Sequence, residues 1–234
     1  MTPLIQRMSR LLPYPGDNAH WFDLGELSGD VETFDFNDER LFRMPFQRTM
    51  IVVGQPGAES DLAVLVLSAD NSITIAPTFA PKIDGATRAV FGLGPFVAFR
   101  TPEGLRLHRA DSIPRETVHL CLAAIYTLVT GLDGAEIEAH ASEPDRGYTS
   151  KRRMANGKPP LRYSWRTVTV GGPKSEHRDA LGGTHASPRA HTRRGHWRNL
   201  RTGKRVWVRD CKVGDAALGS VFHDYKVERE EVTG

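Results

Sequence analysis

Five short runs in the first half of the chain, "RTMIVVGQ", "DLAVLVLS", "SITIAPTF", "AVFGLGPFVAFRT" and "LRLHRA", are rich in Val, Ile and Phe and are separated by turn residues. This pattern predicts strands. The links "SADNS" and "TPEG" are short enough for hairpins, and Pro102 and Gly104 stand where a tight turn prefers them, so the expected arrangement is an antiparallel meander. The run "RETVHLCLAAIYTLVTGL" has nearly continuous apolar faces and predicts a helix on the sheet, capped by Ser112, with Pro114 in its first turn and Gly131 at its stop. His119 and Cys121 fall inside that apolar run and are expected to pack rather than to act.

Either side of this region the periodicity weakens. The segment "LLPYPGDNAHWFDLGELSGDVETFDFNDERLF" sustains neither a helical nor a strand period. Its aromatic residues Trp21, Phe22, Phe34 and Phe36 need burial, so it is expected to wrap the sheet. Further on, "EAHASEPDRGYTSKRRMANGKPP" is polar, carries Pro and Gly and switches from acidic to basic, which predicts a connector between a part spanning 1–145 and a part spanning 146–234. Beyond it "LRYSWRTVTV" alternates as a strand does. "HWRNLRTGKRVWVRD" predicts a hairpin turning around Thr202 and Gly203, and "GSVFHDYKV" predicts a third strand, together a small antiparallel sheet or barrel. On the first hairpin arm, alternation puts Arg194, His196 and Arg198 on one side, with Arg193 and Trp197 on the other. The fold class is therefore α+β: an acidic antiparallel sheet with one main helix, followed by a basic β-rich part with a hairpin.

Composition sharpens the division. The 234 residues are 39% hydrophobic, enough for a real core. No apolar run reaches the roughly 18 residues of a spanning helix, and the first twelve residues are too short and polar for a secretory signal. No membrane partner is expected. Two cysteines, Cys121 and Cys211, do not make a disulfide framework and fit a cytosolic setting. The formal net charge of +3 hides a split: residues 1–145 carry 11 Arg and Lys against 20 Asp and Glu, a balance of −9, whereas residues 146–234 carry 20 against 8, a balance of +12. A basic part of this kind suits nucleic acid or an acidic partner, while docking of the two parts on each other is the plainer use of the same charges.

Candidate chemistry concentrates in "GGTHASPRAHTRRGHWRNLRTGKRVWVRDCKVGD". Binding of single-stranded nucleic acid or RNA needs cations and stacking platforms, which Arg193, Arg194, Trp197, Arg198, Arg201, Lys204, Arg205 and Arg209 supply. The plainer reading makes Trp207 core and the arginines a solvated face. Metal-independent phosphodiester cleavage needs a general base, a general acid and cations, for which His185, His191 and His196 with Arg189 and Arg194 are the right types. A zinc site built from His185, His191, His196 and Cys211 would have gaps of 6, 5 and 15 residues and lacks any paired spacing, so no metal and no cofactor are expected.

The set formed by "GKPPL", the paired glycines before His185, the Ser187-Pro188-Arg189 turn, the Arg194-Gly195-His196 step and the closing Asp224-Tyr225 resembles an uncharacterised family encoded by phages, prophages and related elements. The resemblance covers roughly the last 85 residues. It implies a phage origin and a place in the host cell cytosol, and it carries over no catalytic residue. The main expectation is a non-enzymatic phage protein that binds nucleic acid. The alternatives are a phage protein that binds and inhibits or modulates a host enzyme or defence complex, and a nuclease.

Overall fold

Every strand run of the first half forms, and the chain adds strands that its pattern conceals. The computed structural model describes residues 2, 4–5, 7–8, 12, 19–27, 38–54, 60–82, 91–132, 136–139, 143–144, 148–158, 162–170 and 189–229. In chain order the elements are β1 (His20–Glu26), β2 (Arg48–Gly54), β3 (Ser60–Ser68), β4 (Ser72–Pro81), β5 (Phe91–Gly92), β6 (Phe96–Thr101) and β7 (Gly104–His108), then helix α1 (Arg115–Gly131). There follow β8 (Glu136–Ala139), β9 (Glu143–Pro144), helix α2 (Tyr148–Ala155), β10 (Arg162–Val170), β11 (Arg189–Arg193), β12 (His196–Asn199), β13 (Arg205–Val208), β14 (Cys211–Val213) and β15 (Asp215–Arg229). The architecture is α+β, dominated by sheet, with α1 the main helix among the described residues.

Strands β2, β3, β4, β6 and β7 form the expected antiparallel meander. Its first strand, β2, is apolar from Met50 to Val53 because both of its faces are covered. Ile51 and Val53 pack with Val118, Cys121, Leu122 and Ile125 of α1. Met50 and Val52 pack with Ile5, Met8 and Leu12 of the N-terminal segment, where the Leu12 N–H donates to the Met8 carbonyl at 3.0 Å. Alternate residues of β2 thus serve two cores, one on each side of the sheet.

Helix α1 begins one residue after Pro114, which takes the cap position with φ −52° and ψ 134° and accepts the Val118 N–H at 3.1 Å. Ser112 is not the cap. A proline pushes the residue before it out of the helical region, so Ile113 cannot continue the helix back towards Ser112. Cys121 is fully buried on the sheet-facing side of α1, and burial pushes its thiol up to about 12.

β1 lies in the segment without a visible period, and its first five residues are buried. It is parallel to β2 on one side and to β15 on the other. Trp21 packs in one core and Phe22 and Leu24 in the other, so both faces of the strand are covered and its burial does not alternate. The basic part does not form a small antiparallel sheet or barrel of its own: "GSVFHDYKV" lies inside the long strand β15, which joins the same large sheet as the meander. Along one edge of β15 runs β10, paired from Arg162↔Val221 to Val170↔Arg229. Along the other edge lie two strands in succession, β11 against Ser220 and Val221 and β1 against Tyr225 and Lys226. The sheet therefore forks where β11 ends and β1 begins.

Candidate functional site

The hairpin predicted between His196 and Asp210 forms as β12 and β13, with His196↔Val208, Trp197↔Trp207, Arg198↔Val206 and Asn199↔Arg205 opposite one another. Its turn closes through the Leu200 N–H to the Lys204 carbonyl at 2.7 Å and the Gly203 N–H to the Leu200 carbonyl at 2.9 Å. Gly203 sits at φ +79°, a left-handed conformation that a glycine adopts without strain.

Alternation sorts the side chains into two faces. Trp197 and Trp207 share one face with Asn199 and Arg205, and their rings meet edge to face with centroids 5.4 Å apart. The Arg205 guanidinium lies over the Trp197 ring, 4.9 Å from its centroid. One face of Trp197 is thus already covered by a cation, and a stacking base would meet Arg205 first. Arg198 belongs to the opposite face, while Arg201 and Lys204 stand exposed at the tip.

The remaining candidates are placed differently from a continuous arm. β11 ends at Arg193, and Arg194-Gly195 breaks the strand before β12, so Arg193 and Arg194 do not share the hairpin's alternation. Arg193 is exposed on β11, opposite Cys211. Arg194 is half-buried and lines a cavity of about 130 Å³ with Arg43, Pro45, His196 and Trp207. Arg209 forms an exposed ion pair with Asp70 at the β3–β4 turn. Arg189 is exposed at the start of β11.

Gly195 fixes the hairpin onto the first half of the chain. Its N–H donates to the Pro45 carbonyl at 2.6 Å. A Cβ at this position would lie 2.7 Å from Trp207 Cζ2 and 3.2 Å from the Val208 carbonyl oxygen. Only a residue without a side chain lets Trp207 close over this joint.

Two of the three candidate histidines, His191 and His196, are held locally. His191 Nδ1 lies 2.9 Å from the Arg189 carbonyl oxygen and His196 Nδ1 lies 3.3 Å from that of Arg194, so each Nδ1–H donates to backbone two residues earlier. His191 faces a cleft at the fork of the sheet, whereas His196 faces the smaller cavity beside Trp207. His185 lies outside the described residues. Among the described residues no three His, Cys, Asp or Glu side chains are grouped to hold a metal ion, and no helix is long and apolar enough to cross a membrane.

The fork cleft is the larger feature, about 650 Å³, with His20, Arg48, His191, Asp210, Cys211 and Lys212 among its walls. His20 is stacked on Phe46 with ring centroids 3.6 Å apart. Arg43 and Arg48 each bury an Nε that has no hydrogen-bond partner. Neither arginine was a sequence candidate; the available signal was that both flank "MPFQ" as cations in an otherwise acidic part.

A family model for AcrVA2-like proteins, the anti-CRISPR type V subtype A2 family, matches residues 19–214. No curated protein and no solved structure matches the chain. The match starts at the threshold of β1 and runs to the junction of β14 and β15, so the likeness extends well beyond the basic part. The chain belongs to the AcrVA2-like, anti-CRISPR type V subtype A2 family.

Proposed function

We propose that this protein is a phage-encoded inhibitor of a host's type V CRISPR defence, and that it acts in the host cytosol by binding a component of the defence complex. The family match across residues 19–214 carries this reading. The charge division supports it physically. RNA-guided effectors hold their nucleic acid in a positively charged channel and recognise it through its backbone. The acidic part, at −9, complements such a channel, and the basic part, at +12, complements the nucleic acid inside it. One molecule with both surfaces can engage both components, and opposite charges accelerate the encounter.

Binding of nucleic acid as such is the second reading, favoured by the hairpin, whose residues Arg198, Arg201, Lys204 and Arg205 are all exposed on its two strands and tip. Neutralising about four phosphates of a single strand gives a slope near −3 in log affinity against log salt, at about 0.7 per phosphate. A pull-down from a host carrying the defence system, with and without nuclease, separates the readings. Capture of a defence protein that survives nuclease supports the inhibitor reading. Capture of nucleic acid alone, with protein lost on nuclease treatment, favours the second.

A further inference from the structure

Resting on the second reading above, nucleic-acid binding by the hairpin, we propose that β12 and β13 form a two-stranded ribbon that enters the major groove of duplex DNA. The ribbon stands apart from the large sheet: among the described residues β12 and β13 pair only with each other. Its base is fixed at one end, where the Gly195 N–H donates to the Pro45 carbonyl, Trp207 closes over Gly195, and Arg209 pairs with Asp70 just after β13. The tip, at 201–204, lies at the other end and is exposed. Four ladder pairs at about 3.3 Å per residue give an arm about 13 Å long, with about 4.8 Å between its strands. The major groove of B-form DNA, roughly 12 Å wide and roughly 8.5 Å deep, admits a ribbon of this kind.

A single strand is held by stacking its bases on open aromatic faces. Both rings of the hairpin are engaged within the arm instead. Trp207 meets Trp197 edge to face and lies against Gly195, and the Arg205 guanidinium covers the Trp197 ring, 4.9 Å from its centroid. What the ribbon presents to solvent is polar and cationic: Arg198, Asn199, Arg201 and Lys204 are exposed, and positions 196–208 hold no carboxylate. Arginine and asparagine are the side chains that make paired hydrogen bonds to guanine and adenine edges in the major groove, while lysine neutralises a flanking phosphate. An RNA duplex does not offer the same entry, because the A-form major groove is too deep and narrow for side chains to read. The arm therefore fits a DNA duplex better than a single strand or an RNA duplex.

Fluorescence anisotropy of the full chain across a salt series tests the assignment with three labelled probes of one short sequence: a DNA duplex, one strand of it, and the corresponding RNA duplex. The DNA duplex is expected to bind about tenfold more tightly than either other probe at low salt. Combining Arg198→Met, Arg201→Met and Lys204→Met removes three cations and is expected to make the slope of log affinity against log salt shallower by about 2.7, at about 0.9 per duplex phosphate, with Arg106→Met on β7 unchanged. Arg201→Met alone, at the exposed tip, should remove about 0.9 and keeps the test valid if the triple variant fails to fold. Equal or tighter binding of the single strand, or of the RNA duplex, would overturn the ribbon assignment and leave the second reading standing. Absence of binding to all three probes would overturn both. Parent-like affinity and slope in the folded hairpin variants would place the nucleic acid elsewhere on the chain and overturn the assignment.

Discussion

Phe22 of β1 stacks on Tyr225 of β15, with ring centroids 4.5 Å apart and planes within 9° of parallel, and the two residues are also direct partners in the strand ladder. Phe46 tilts against both rings. Residues more than 200 positions apart in sequence thus form one aromatic joint where the end of the chain enters the sheet beside its beginning.

Tyr225→Ala is expected to lower the free energy of unfolding by about 3–5 kcal/mol, the usual cost of emptying a buried aromatic site. Tyr225→Phe keeps the ring stack and is expected to stay within about 1.5 kcal/mol of the parent. Urea unfolding of the two variants measures this. Equal stability of Tyr225→Ala and the parent would mean that the joint contributes nothing.

Gly195→Ala forces a methyl against Trp207 and the Val208 carbonyl, and the expected cost is about 1–3 kcal/mol. Because the strain falls on the indole, the emission of Trp207 should shift as the hairpin lifts from Pro45. A tryptophan emission spectrum of a variant with Trp207 as sole changed environment, compared with Thr202→Ala at the hairpin tip as control, reads the effect. An unchanged spectrum and melting temperature for Gly195→Ala would contradict the close approach.

Cys211 is exposed and Cys121 is fully buried. With the Cys121 thiol pushed up to about 12, almost none of it is thiolate at pH 8, and burial also blocks access. Native protein at pH 8 should take up one equivalent of an alkylating reagent, and denatured protein two. Mass spectrometry distinguishes the outcomes. Rapid native labelling of Cys121 would contradict its place beneath α1.

The division into parts spanning 1–145 and 146–234 is a proposal that limited proteolysis tests. Lys151 and Arg152 are exposed in α2, so trypsin should cut there first. The nicked chain should still elute as one species under native conditions, because β15 remains paired with β1 across the cut. Separation of the fragments without denaturant would show that the pairing does not hold them, and early cuts confined to other regions would contradict the connector.

Half-buried elements were legible in the sequence because their alternation has a physical cause. The hairpin has that pattern together with its Gly203 turn, whereas the meander was legible as short Val/Ile/Phe-rich runs bounded by turn residues, and both form as expected. β1 was not legible, since the buried polar residues His20 and Asp23 interrupt its apolar positions and leave neither an alternating nor a continuous apolar run. The fork was not legible either, because it depends on which distant strands share the edge of β15. Of the candidate surface, the cations could be read but their separation could not: Arg193 belongs to β11, Arg194 to a cavity wall, Arg205 to the Trp197 ring and Arg209 to Asp70. Arg43 and Arg48 escaped notice because isolated arginines carry no local pattern, and only the folded chain turns them towards cavities.

The central claim is inhibition of a type V CRISPR defence by binding. The most direct measurement is plasmid clearance in cells that carry such a system and a guide against the plasmid, with and without expression of this chain. Expression of the folded protein is expected to preserve the targeted plasmid while a non-targeted plasmid is unaffected. Clearance that proceeds at the full rate, with the protein present, folded and abundant, would contradict it.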